Sequence, residues 1–420
     1  MRRNVILGVI LAVLPLLPPT TAAREIETDP AGRGLKPGFA YLGEISTNAA
    51  GGLRRRSACL GNLSLTLSLD LDKLFGWRGA TIFLYGMSIQ GQNPDRNVGD
   101  LQGVSNIAAH DTARLYEAWL RQDLFSGRLS FLAGLYDLNS EFDVIEPASL
   151  FLNASQGIDP TFAFSGLNGP SVFPYTTLAF RAKLEPGGGF YAQAAVLNGV
   201  AGNPDDPNGT RVIFPKGGGA LLAAEAGWRT TAPGREVRKQ AARESVRRYV
   251  KPVYSQKIAL GLWTYTARFR PILPRPDEPA RVRGDAGLYV LLSREAWQAA
   301  GDPERNLVAF ARLGLANPRL NRLGFFAGGG LVFAGPFPGR GQDAVGLAFA
   351  AAFNGDDFRR AALLSGEPVR RAEWDFELTY RAVLSRWLSL RPDVQVVLHP
   401  GMDPALKTAV VMGLRAEVAL

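Results

Sequence analysis

The chain has 420 residues, one cysteine, two histidines and a formal charge of +9 at a mean hydropathy of zero. A single cysteine, Cys59, excludes intramolecular disulfides, and two histidines without a neighbouring histidine or cysteine give no metal-ligand spacing. The longest apolar run is too short to span a bilayer as a helix, which needs about 18 or more such residues, so a helical membrane protein is excluded.

Arg2 and Arg3 precede an apolar run from Val5 to Leu17, followed by the small residues Thr21, Ala22 and Ala23. This reads as an export signal over 1–23, with the mature chain, 24–420, expected to form one domain. Removing the signal takes away two arginines and lowers the charge to +7. Export makes nucleic acid an improbable partner for that charge; a pore lining or anionic lipid headgroups fit it better.

Beyond the signal the dominant pattern is alternation with period two, which sends successive side chains to opposite faces of a sheet. Leu63, Leu65, Leu67 and Leu69 stand against Ser64, Thr66, Ser68 and Asp70. Trp374, Phe376, Leu378, Tyr380 and Ala382 stand against Glu373, Asp375, Glu377, Thr379 and Arg381. A soluble core would not bury that charged row, whereas a barrel with hydrocarbon outside and water inside accommodates both rows.

Strands are predicted near 39–48, 61–71, 80–90, 113–122, 128–137, 176–184, 189–197, 220–228, 255–267, 285–293, 307–316, 323–333, 343–352, 373–383, 386–398 and 409–419. An even count lets an antiparallel meander close on itself, leaving no unpaired edge. The fold class expected is all-β: a closed antiparallel transmembrane barrel of about 16 strands. Short turns near 123–127, 185–188 and 384–385 read as periplasmic, and the long Gly-, Pro-, Asn- and Asp-rich intervals 91–112, 138–175, 198–219, 268–284 and 353–372 as extracellular. The interval 229–254 breaks the rule, since parity makes it periplasmic while it carries a basic stretch over 235–251.

Several motifs resemble the carbohydrate-selective porin family of the OprB type across nearly all of the mature length. They are LGNLSLTLSLDLDKLFGWRGATIFLYG at 60–86, GDLQGVSNIAA at 99–109, RLYEAWL at 114–120, LFSGRLSFLAGLYDLNSEFDV at 124–144 and SGLNGPSVFP at 165–174. NGDDFRRA at 354–361, ELTYRAVLSRWLSLRPDVQVVLHPG at 377–401 and VVMGLRAEVAL at 410–420 continue the match. The resemblance implies a sixteen-stranded outer-membrane barrel that passes monosaccharides, glucose-like sugars foremost, passively. Small sugars, outer-membrane lipid and lipopolysaccharide, and the barrel-insertion machinery are then the expected partners; monomer and homotrimer both stay open. The chain departs from the family in ending at Leu420 where an aromatic residue is usual, and in the basic stretch 235–251.

A sugar offers hydroxyls around a weakly apolar face, so a selective passage needs hydrogen-bonding side chains beside flat aromatic ones. Loop 138–175 is the candidate to fold inward and narrow the channel, with Glu141, Asp143, Glu146 and Asp159 beside Phe142, Phe162, Phe164 and Phe173. Anchoring the loop against the wall is the alternative role for those phenylalanines. Glu117, Arg121, Asp137, Arg181, Glu377, Arg381 and Asp393, with Trp119, complete the candidate pathway, and Arg114 and Glu225 are further charges expected to face water. Arg114 lies out of phase with Glu117 and Arg121 and is placed at a strand end. No catalytic residue, cofactor or metal is expected. A general or anion-preferring channel is the main rival reading; an outer-membrane hydrolase using His110 and a soluble periplasmic sheet protein are remoter ones.

Overall fold

The structure is a computed structural model that describes residues 32–231 and 254–420. The expected signal 1–23 and the basic stretch 235–251 lie outside the described residues. Among the described residues sixteen strands form one closed sheet in which each strand pairs antiparallel with its sequence neighbours and the first pairs with the last. They are β1 (Leu35–Ala50), β2 (Ser57–Asp70), β3 (Ala80–Gly91), β4 (Thr112–Leu124), β5 (Leu129–Tyr136), β6 (Thr177–Gly187), β7 (Phe190–Asn198) and β8 (Ala220–Thr231). The second half comprises β9 (Tyr254–Tyr265), β10 (Ala286–Ala299), β11 (Asp302–Ala316), β12 (Leu323–Ala334), β13 (Ala344–Asn354), β14 (Ala372–Ser385), β15 (Leu388–Leu398) and β16 (Ala409–Ala419).

Closure is made by β1 and β16, whose register runs from Ala40 opposite Ala419 to Ala50 opposite Val410. That register carries the alternation around the whole cylinder. The row that includes Leu65, Phe180, Leu347 and Leu378 is exposed on the outer wall, whereas Asn62, Ser64, Glu377 and Arg415 are buried on the inner one. Hydrocarbon against the outer row costs nothing, while a lysine or arginine placed there at mid-depth costs roughly 2–4 kcal/mol.

Both ends of the outer wall carry aromatic residues. At the end where the chain begins and finishes, Trp77, Phe125, Phe190, Trp297 and Phe337 sit at or beside five separate turns and are exposed. Near the opposite, distal end the outward rings of Phe325, Phe353, Trp374 and Phe376 form a run with centroid spacings of 5.3, 5.8 and 6.4 Å. Amphipathic rings favour the two interfaces of a bilayer, and two such girdles delimit an apolar band.

Arg114 is the third residue of β4, close to its distal end, but a bulge sets its phase. β3 pairs Tyr85 with Glu117 and Gly86 with Leu115, so Tyr116 is an extra residue in β4. This bulge shifts the phase by one, and Arg114 opposite Met87 faces the same interior as Glu117 opposite Tyr85. A strict two-residue period cannot register an insertion of one.

β5 is the shortest strand, and its pairing with β4 reaches only from Ala118 to Leu124. The distal edge of β4 is completed by connecting segments instead. Thr210 Oγ1 accepts from Leu115 N at 2.8 Å and donates to Leu115 O at 2.9 Å, Gly209 N donates to Thr112 Oγ1, and Thr176 Oγ1 donates to Tyr116 O. The wall therefore stays hydrogen-bonded where a ladder partner is missing, as backbone groups facing hydrocarbon require.

Candidate lumen site

Two of the distal segments lie against the inner wall. In segment 137–176 the residues Leu138, Phe142, Asp143, Leu150, Phe151, Asn153, Asp159 and Phe162 are each at most 1 % exposed. Two short helices, α1 (Ala154–Gly157) and α2 (Pro160–Ala163), are started by Asn153 and Asp159, whose side chains accept from Ser155 N and Thr161 N. Room for them comes from a column of small inward residues on β12 and β13, among them Gly328, Gly330, Gly346, Ala348 and Ala350. A Cβ at Gly346 would stand 2.6 Å from the Phe151 ring, and one at Gly314 on β11 would stand 1.8 Å from Asp159 Oδ2.

Charged wall residues fasten the backbone of this segment. Glu141 takes Arg181 of β6 in a two-point pair, Nε to Oε2 at 2.7 Å and Nη2 to Oε1 at 3.0 Å. Asp143 N donates to Glu225 of β8, whose carboxylate also accepts from Tyr191 and Tyr289. Lys257 of β9 donates to Val144 O, and Arg312 of β11 donates to the carbonyls of Ser155, Gln156 and Asp143 while pairing with the Asp143 carboxylate at 2.8 Å. Leu152 N and Asn153 N donate to the two oxygens of Glu377 on β14, and Arg391 of β15 donates to the carbonyls of Ser149 and Leu150. β6 and β14 are eight strands apart in a ring of sixteen, so the segment is tied to opposite walls.

Segment 92–111, read from sequence simply as a long outer loop, is anchored in the same manner. Glu373 of β14 accepts from Leu101 N, Gln102 N and Gly401 N, and Gln395 of β15 donates to Val104 O. Arg415 of β16 donates to Asn106 Oδ1 at 2.9 Å and pairs with Glu44 of β1 at 2.6 Å. The inward Val98, Val104 and Ile107 are at most 1 % exposed.

The candidate residues thus divide by what they touch. Glu117 accepts from Trp119 Nε1 and Asp137 N, and Asp137 accepts from Tyr116 and Asn139 N. Asp393 accepts from Gln395, while Glu141, Asp143, Arg181 and Glu377 hold the infolded segment as described. Arg121, 3.4 Å from Asp123, Arg381 and the Arg181-paired Glu141 are the three of the nine charges that stay half-buried. Among the aromatics, Trp119 stacks on Phe83 at 4.9 Å, Phe162 stacks on Trp263 at 5.0 Å, and Phe142 is buried in the same cluster. Phe164 is 53 % exposed.

Sequence reasoning did not single out Arg312, Arg391, Arg415, Lys257 or Glu373. A lone charge in an otherwise apolar strand such as NLVAFARLGLA at 306–316 was the available signal, since a buried charge needs a partner.

The infolded acids have displaced titrations. Burial alone would raise Glu141, but the Arg181 and Lys183 cations outweigh it and hold the carboxyl at about 2. Burial pushes Asp143 up to about 6, with Arg312 opposing and Glu225 adding to the rise. Burial and then the Asp143 carboxylate push Asp159 up to about 7.

His110 Nε2 lies 2.8 Å from Pro207 O and its ring stacks on Tyr175. Among the described residues no group of three or more His, Cys, Asp or Glu is arranged to hold a metal ion.

Comparison with known proteins fits this architecture. Porin B of Pseudomonas aeruginosa is 24% identical over 412 residues, covering 90% of this chain and 86% of that one. Porin AaxA of Chlamydia pneumoniae is 32% identical over 91 residues, 22% of this chain and 20% of the other. The high pH structure of Pseudomonas putida OprB superposes with a TM-score of 0.77 at 21% identity, covering 92% of this chain and 94% of that chain, and shares its fold. These relatives are porins, which are channels and not enzymes. The sequence model described as carbohydrate-selective porin, OprB family, matches residues 54–420, and the chain belongs to that family.

Proposed function

We propose that the protein is an outer-membrane channel through which monosaccharides, glucose-like sugars first among them, diffuse passively into the periplasm. Membership of a carbohydrate-selective family supports the substrate class. The observation that carries the reading is segment 137–176 tied across the interior from Arg181 on one wall to Glu377 on the other, because a partition of that kind narrows a water-filled barrel to a passage of selective size. The end bearing the chain termini faces the periplasm and the distal loops face outside. Weak binding at the passage is required for sugars to leave as well as enter, so affinity is expected near the millimolar range, about −4 kcal/mol.

The half-buried Arg121 and Arg381 are the charges best placed to meet a permeant molecule, with the exposed Phe164 at the outer approach. The fastened residues Glu117, Asp137, Glu141, Asp143, Arg181, Glu377 and Asp393, and the buried Trp119, Phe142 and Phe162, act on transport by fixing the shape of the passage. Outer-membrane lipid and lipopolysaccharide surround the barrel, and the insertion machinery recognises its last strand.

Swelling of liposomes carrying the protein tests the reading. Glucose is expected to enter faster than a non-sugar solute of equal size; equal rates would leave only a general channel. An anion-preferring channel is the second reading, favoured by the two accessible arginines, and reversal potentials in planar bilayers separate it from the first.

A further inference from the structure

At the distal rim, the β1–β2 hairpin and the start of segment 92–111 enclose a cleft of about 410 Å³ lined by Arg54, Arg56, Ser57, Gly91, Gln92, Asn93, Arg96 and Asn97. Its walls are held in place by the backbone. Asn48 Nδ2 donates to the carbonyls of Gly51, Arg54 and Asn97, Arg54 N donates to Asn97 O at 2.8 Å, and Gln92 N donates to Cys59 O. The three guanidinium groups are exposed, and among the described residues none of them takes part in an ion pair or a side-chain hydrogen bond. Elsewhere on the distal loops Arg211 pairs with Asp206 and Arg319 with Glu278. The lining contains no carboxylate; Asp95 accepts from Val104 N, and Asp111 accepts from the amide of the lining residue Gly91.

Three guanidinium groups carry five N–H donors each in planar forks whose geometry matches the oxygens of a phosphate. Here they line one cleft together with the side-chain amides of Gln92, Asn93 and Asn97 and the Ser57 hydroxyl, a set of donors suited to a phosphoryl group. The cleft also lies where an amphipathic ligand would bring such a group. Ile45, opposite Cys59 on the outer wall of the same hairpin, is exposed, as are Leu65 further along it and Leu53 in its turn. A phosphate head resting in the cleft would leave acyl chains to run down that apolar wall.

We propose that this cleft binds the phosphate of a phosphorylated glycolipid of the outer leaflet, seating the barrel against its surrounding lipopolysaccharide. The inference rests on the outer-membrane reading above but not on the sugar specificity.

The full chain in detergent is titrated with bis-phosphorylated lipid A, with the same lipid A after phosphatase treatment, and with inorganic phosphate. The wild type is expected to prefer the phosphorylated lipid by roughly tenfold or more, and the R54Q/R56Q/R96Q variant to lose that preference, since charge-assisted bonds are lost with no change of wall. A control variant, R359Q/R360Q on another distal loop, is expected to bind as the wild type does. Equal binding by wild type and triple variant overturns the site, and an equal loss in the control variant reduces it to general surface charge. Competition by inorganic phosphate as strong as by the lipid assigns the cleft to free anions and overturns the lipid. Heat-dependent gel migration verifies that the triple variant is folded, and unchanged glucose flux in it separates this site from the transport path. Fractionation of cells tests the outer-membrane placement itself.

Discussion

Arg312 and Asp143 form an ion pair of 2.8 Å in which neither side chain is more than 2 % exposed, and the same guanidinium donates to the carbonyls of Asp143, Ser155 and Gln156. One cation on β11 thus satisfies a carboxylate and three peptide groups of the infolded segment.

Replacing Arg312 by methionine is expected to cost about 3–5 kcal/mol, because a buried charge is left without its partner. Urea unfolding of the detergent-solubilised barrel measures this. Single-channel conductance should rise and become noisier as the segment loosens; an unchanged midpoint with unchanged conductance would show that the segment is held without it.

Asp143 and Asp159, at about 6 and about 7, both lie above the ordinary aspartate value of 3.8. The folded protein therefore binds their protons more tightly than the unfolded chain does. Their stabilisation is complete below the unfolded value and is lost as pH rises through about 6 and then 7. Glu141, held at about 2, acts in the opposite sense, contributing above its ordinary 4.5 and failing only as pH falls towards 2. From pH 5 to 8 Asp143 and Asp159 change while Glu141 stays ionised, so limited proteolysis should cut segment 137–176 faster at the higher pH, with a flatter dependence in D159N. A wild-type rate that falls with rising pH would contradict this.

Gly314→Ala places a Cβ where Asp159 Oδ2 now lies, 1.8 Å away. Asp159 starts the helix Pro160–Ala163 by accepting from Thr161 N and Oγ1, so the clash should displace that cap and cost about 1–3 kcal/mol. A thermal midpoint equal to wild type would mean that the segment yields freely at this point.

Arg381→Gln and Arg121→Gln remove the two half-buried cations while leaving the fastened residues in place. Reversal potentials should move towards cation preference, and glucose swelling rates should change in at least one variant. No change of either kind in both would take these residues off the pathway.

Much of the cylinder is legible in the sequence because one physical contrast, hydrocarbon against water, is written at every second residue. The row from Glu373 to Arg381 specifies its own faces, and β14 runs over Ala372–Ser385. The signal fails where the contrast fails. Phe83, Tyr85, Met87 and Ile89 face inward, yet the outward row of β3 includes the apolar Ile82 and Leu84, so polarity does not say which side is which. The Tyr116 bulge is invisible to a fixed period. The infolding of 92–111 depends on distant partners, Glu373 and Arg415 among them, that lie hundreds of residues away in the chain and carry no local mark.

A segment tied at Arg181 and again, half a circumference away, at Glu377 is also a strut. Lipid packing squeezes a thin-walled tube from all sides, and a hollow ring of strands resists flattening poorly. With a tie across its diameter the ring cannot become oval without stretching charge-assisted bonds at both ends. The size of the aperture is thereby protected from the mechanical state of the bilayer around it.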